Sequence, residues 1–188
     1  ERIDAKYLEQ FDAFLIIRAC TPSEKSNDVD CAVPAAVTPD EEMRAAHAKI
    51  IDALAGDLLI RLRESEPAFF EGVIVDLLLK MDYGYGDGSG SVLGKTGDDG
   101  VDGVINLDPL GVDQVYVQAK RYGASNSIGS GAIRDFYGAL GLKDVTKGIF
   151  VTTSHFSESA RDTADKLGAR IVLIDGPQLA RLMVNHEV

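Results

Sequence analysis

Asp102, Gln118 and Lys120 are the residues whose types and spacing can do chemistry together. Asp102 stands in Gly97-Asp98-Asp99-Gly100-Val101-Asp102-Gly103, where glycines let another backbone or a phosphate come close. Gln118 and Lys120 are two apart in Val115-Tyr116-Val117-Gln118-Ala119-Lys120, so in a strand both side chains leave one face. The turn Asp108-Pro109-Leu110-Gly111 predicts a hairpin that sets the two segments about 5 Å apart. A carboxylate, an amide or backbone oxygen and an ammonium then converge. Phosphodiester hydrolysis uses those types: hard oxygens hold Mg²⁺, and the cation polarises the phosphate. The ammonium orients or deprotonates the attacking water and stabilises the charge that builds on phosphorus oxygens. A solvated Asp-Gly turn with an exposed lysine on an edge strand is the plainer alternative. Spacing alone leaves both open.

The elements that must hold these residues can be read along the chain. Residues 1–19 predict a short helix with Leu8, Phe11, Phe14 and Leu15, and residues 20–39, with three prolines and small residues, read as a linker. Thr38-Pro39-Asp40-Glu41 gives a capped start for a connecting helix to about Glu64, with Ile50, Leu54, Leu58 and Leu62 on one stripe. A second helix starts at Glu66-Pro67, carries Phe70, Ile74, Leu77 and Leu78, and ends at Tyr83-Gly84. Gly84 to Gly100 reads as a glycine-rich loop. It follows a helix and lacks a Gly-Lys-Ser/Thr ending, which argues against nucleotide binding.

Strands follow at Val101–Asn106 and Gln114–Arg121, the second with Val115, Val117 and Ala119 facing away from Tyr116, Gln118 and Lys120. A helix from Ser130 to Leu142, an apolar strand Gly148–Thr152, a helix capped by Ser157, a strand Arg170–Ile174 and a helix from Pro177 complete the order. Apolar strands alternating with helices predict a mixed sheet between helical layers, with residues 66–188 as the catalytic domain.

Composition narrows the classes. The chain has 188 residues, 45% of them hydrophobic, and no apolar run of membrane-spanning length. Cys20 and Cys31 are too few for a zinc ribbon; they can form one disulfide, but two free thiols in a reducing cytoplasm is the plainer reading. The net charge of −11 argues against strong non-specific binding to nucleic acid. Residues 1–100 hold 20 acids against 10 bases, however, whereas residues 101–188 hold 10 against 9. Lys120, Arg121, Arg134, Lys143 and Lys147 fall in one stretch of that neutral part, and local charge decides phosphate contact.

A helical acid, an acid at a strand and Gln-x-Lys on the next strand resemble the PD-(D/E)xK nuclease pattern. More closely, five runs resemble the catalytic domain of the Mrr family of restriction endonucleases. They are Phe69-Phe70-Glu71, Leu77 to Gly84, Gly97 to Gly103, Val117 to Tyr122, and Lys147 to Ser154. The likeness runs from about residue 66 to the C-terminus, and more weakly over the helix from Thr38. It implies a restriction-endonuclease-like three-layer α/β/α fold with a central mixed sheet, preceded by an N-terminal helix and linker. It also implies a bacterial type IV-like enzyme that cleaves foreign or methylated double-stranded DNA. Asp102, Gln118, Lys120 and Glu71 then form the catalytic set, and Asp102, Gln118 and Glu71 hold Mg²⁺, with Mn²⁺ able to substitute. Glutamine in place of an acid implies weak metal binding, completed by DNA phosphates. Relatives usually begin with a winged-helix domain, for which residues 1–39 are too short.

Further residues carry two readings each. Glu71 is a metal ligand or a solvent-facing helix acid. Asp98 and Asp99 assist Asp102 or form the turn. Arg121, Arg134, Lys147 and Ser154 touch DNA or, for the bases, simply face solvent; Ser154, His155 and Ser157 otherwise cap a helix. A homodimer on DNA is expected, since cutting both strands takes a pair of sites. The alternatives are a structure-specific repair or junction nuclease of the same fold, and a non-catalytic DNA-binding module with a vestigial site.

Overall fold

Thr38 and Glu41 start the first helix by satisfying each other. Thr38 Oγ1 accepts from the Glu41 N–H at 3.3 Å, and the Glu41 carboxylate accepts from the Thr38 N–H at 2.8 Å. This reciprocal cap holds the Glu41 carboxyl below its ordinary value. In this computed structural model the described residues are 38–86, 89–93 and 100–188, and those from 44 onward belong to one compact unit. The expected helix within residues 1–19 and most of the linker lie outside the described residues, as do Asp98 and Asp99.

Helix α1 spans Pro39–Glu64, as the cap and periodicity predict. Its buried face differs from expectation in part. Leu62 is buried and Leu58 packs on the core as expected, but Ile50 is 66% and Leu54 45% exposed, and Ala55 and Leu59 are buried instead. The buried set lies over Leu179 and Ala180 of the last helix, so tertiary contact rather than side-chain size chose the face. Helix α2, Pro67–Lys80, buries Phe70, Ile74, Val75, Leu77 and Leu78.

The strands are β1 (Gly90–Val92), β2 (Gly103–Asn106), β3 (Gln114–Lys120), β4 (Ser127–Ile128), β5 (Lys147–Thr152), β6 (His155–Phe156) and β7 (Arg170–Ile174). The helices between and after them are α3 (Ser130–Leu142), α4 (Glu158–Lys166) and α5 (Gly176–His186). The main sheet has the order β1-β2-β3-β5-β7, antiparallel on the β1–β2–β3 side and parallel through β3, β5 and β7. β4 and β6 form a separate parallel pair that the sequence did not suggest. β1 falls inside the segment expected to be a loop.

Both faces of the sheet are covered. On one, Val115, Val117, Ala119, Ile149 and Ile174 meet Leu62 of α1, Phe70 and Leu78 of α2, and Leu179 of α5. On the other, Phe150 stands between Phe136 of α3 and Phe156 of β6, edge-on to each at 5.5 and 5.7 Å. The expected three-layer α/β/α arrangement with a mixed sheet is what forms. Among the described residues no helix is long and apolar enough to cross a membrane.

Candidate active site

The β2–β3 hairpin turns where expected. Asp108 accepts from the Leu110 N–H at 2.8 Å and from the Asp113 N–H, which holds its carboxyl below the usual range. Gly103 pairs with Val117, and Asp102 directly precedes that pair. The Asp102 N–H donates to the Val117 carbonyl at 2.9 Å, and its Oδ2 accepts from the Ala119 N–H at 2.7 Å. The catalytic-type acid is thus fastened to β3 between Gln118 and Lys120, leaving Oδ1 for another ligand.

Gln118 is only 6% exposed, and its Oε1 is buried without a hydrogen-bond partner. Gly100, at φ +81°, lies over it: a Cβ there would stand 3.4 Å from Gln118 Nε2. Lys120 is half-buried at the end of β3. Glu71, half-buried on α2, has its carboxyl pushed up, first by burial and next by the Asp102 carboxylate, while the Lys120 ammonium pulls it back. One carboxyl therefore feels both the acid and the base of the hairpin. Glu71 is half-buried rather than fully exposed.

A hard divalent cation suits this donor set. An orphaned buried amide oxygen costs free energy unless something occupies it, and Asp102 Oδ1 and the Glu71 carboxyl supply the charge. Among the described residues no three His, Cys, Asp or Glu side chains cluster.

The outlying candidates separate. Arg134 is exposed on α3. Arg121 is half-buried and donates to the Arg63 carbonyl at 2.6 Å, closing the end of α1. Lys147 pairs with Asp113 at 2.7 Å. It sits at the start of β5, while Lys120 lies at the end of the parallel β3, so the structure does not bring Lys147 to the site. Ser154 is buried, with its N–H on Thr152 Oγ1 at 3.2 Å and its hydroxyl 3.5 Å from His155 Nδ1. Ser157, not Ser154, caps α4 through the Ala160 N–H at 3.2 Å. Sequence reading gave no role to Thr152, Thr153 or Arg63. Arg63 grips the Thr153 carbonyl through Nε at 3.1 Å and Nη2 at 2.8 Å.

The fold is that of restriction endonucleases: the DNA modification-dependent restriction endonuclease AspBHI superposes with a TM-score of 0.57 at 22% identity, over 73% of this chain and 36% of its own. A family model described as restriction endonuclease, the Mrr catalytic domain, matches residues 62–183, and the chain belongs to that family. It is similar to the type IV methyl-directed restriction enzyme EcoKMrr of Escherichia coli (strain K12), 39% identical over 164 residues, which is 87% of this chain. The chain spans about half (53%) of the length of that relative.

Proposed function

We propose that this chain is the catalytic domain of a divalent-metal-dependent DNA endonuclease that restricts foreign or methylated DNA in the bacterial cytoplasm. The observation that supports the reading is the Asp102 carboxylate fastened to the Ala119 N–H, between Gln118 and Lys120, with Glu71 near enough to feel both charges. Membership of the Mrr catalytic family gives that constellation its substrate class.

Glu71, Asp102 and Gln118 would hold the cation, Mg²⁺ or in its place Mn²⁺. When bound, it supplies Lewis-acid polarisation of the scissile phosphate. The Ala119 N–H keeps Asp102 in one rotamer, so the acid needs little reorganisation to bind. Lys120 lies beside the carboxylates and donates to the phosphate oxygens or the attacking water as negative charge builds. Gln118 adds an oxygen without a charge, so cation affinity is modest until DNA contributes phosphate oxygens. Arg134 offers a phosphate contact beyond the site. Two copies on double-stranded DNA, as a homodimer, would address both strands.

Plasmid cleavage with Mg²⁺ or Mn²⁺ tests this, using methylated and unmethylated DNA. Asp102→Ala and Lys120→Ala should each lower the rate by at least about 100-fold. Undiminished cutting by both variants would refute the assignment.

A further inference from the structure

Lys120 closes the β3–β5 ladder, and its register partner is Thr152, the last residue of β5. Past this pair β3 gives way to the connection toward β4, and the ladder no longer sets the course of the chain. Two hydroxyls take over. Thr152 Oγ1 donates to the Lys120 carbonyl at 2.8 Å and accepts from the Ser154 N–H at 3.2 Å. Thr153 Oγ1 donates to the Tyr122 carbonyl at 2.7 Å and accepts from the Tyr122 N–H at 2.9 Å. The Thr153 N–H also reaches the Lys120 carbonyl, at 3.3 Å.

Both threonines are 0% exposed, and the three residues before them in β5 are Ile149, Phe150 and Val151. Packing alone would accept valine at either position, because valine has the same shape. The hydroxyls therefore serve the main chain, in a buried setting where an unmade hydrogen bond is costly. What they hold is the backbone from Lys120 to Tyr122. A lysine stem has four rotatable carbons and points its ammonium reliably only when its backbone is fixed.

We propose that Thr152 and Thr153 are positioning residues that aim Lys120 at the Glu71–Asp102 pair without touching DNA or metal. The proposal rests on the nuclease reading of that pair. Its test compares Thr152→Val and Thr153→Val with Thr152→Ser and Thr153→Ser, each checked by thermal melting. Three quantities are measured: plasmid cleavage at saturating DNA with Mg²⁺, DNA affinity with Ca²⁺ in place of Mg²⁺, and hydrogen exchange at the Tyr122 amide.

The valine variants should lose about 10- to 100-fold in turnover, the scale of a misplaced catalytic group, with little change in DNA affinity. The serine variants should recover most of the rate. Exchange at the Tyr122 amide should quicken in Thr153→Val and stay slow in Thr153→Ser. Folded valine variants that cut at the parent rate overturn the proposal, and so do serine variants that fall as far as the valine ones. Should Thr153→Val not fold, Thr152→Val carries the test, because the Lys120 carbonyl then keeps the Thr153 N–H. If the parent chain cuts nothing, the nuclease reading is what fails, and unchanged exchange in Thr153→Val still overturns the clamp by itself.

Discussion

At Glu71 one carboxyl answers to two opposite charges. Burial and Asp102 raise it, and Lys120 lowers it. Lys120→Ala should therefore push its titration higher still, and Asp102→Asn should bring it down; carbon-13 NMR of the glutamate carboxyl reads both. If neither substitution moves it, the three groups are out of mutual reach. The sign for stability follows: the folded value is raised, so this contribution is complete below the ordinary glutamate value and lost as pH rises through the elevated one. Asp102, Gln118 and Lys120 were legible because a two-residue period and an Asp-Pro-Leu-Gly turn fix their sides and their closeness. Glu71 was legible only through family resemblance, since a helix acid beside Phe70 has no distinguishing local pattern. Thr152 and Thr153 stayed hidden because threonine is an ordinary strand former, and only coordinates show what its hydroxyl meets.

Helix α3 lies so close on β5 that the same substitution has opposite signs a few residues apart. A Cβ on Gly148 would stand 2.7 Å from the Phe136 ring and 2.8 Å from Leu140, whereas one on Gly138 meets nothing within 4 Å. Gly148→Ala should cost about 1–3 kcal/mol through overpacking, lowering Tm by roughly 2–12 °C. Gly138→Ala, in the exposed helix interior, should raise stability by up to about 1 kcal/mol. Thermal melts of the two proteins, both expected to fold, check the pair. At this scale the long periodic elements matched expectation closely. β1 did not, because three residues within a glycine-rich stretch carry no periodicity. The buried face of α1 matches expectation at Leu58 and Leu62 and differs at Ile50 and Leu54, because the helix has apolar residues on more than one stripe and α5 selects Leu59 over Leu54. Lys147 was grouped with Lys120 by nearness in sequence, but parallel strands start at the end where their neighbours also start.

The molecule as a whole carries −11. Of the five basic residues in the stretch 120–147, Lys147 is neutralised by Asp113, Arg121 closes a helix end, and Lys143 stands over the Tyr116 ring near the start of β5, away from Lys120. Lys120 and Arg134 remain. Each phosphate contact contributes about −0.9 to the slope of log affinity against log salt, so this chain should show roughly −2 per copy. Fluorescence anisotropy of a labelled duplex in Ca²⁺ at several salt concentrations measures it, and a slope much steeper than this would mean that other bases engage DNA.

The pairing of Lys147 with Asp113 has a larger consequence. Arg161 and Arg181 are answered in the same way, by Asp175 and Asp52. A cation paired with a carboxylate no longer attracts a polyanion, so on the proposed function the net charge of −11 would set the field that an approaching duplex meets. That field would admit the phosphate backbone most readily where a base such as Lys120 or Arg134 has no carboxylate bonded to it among the described residues.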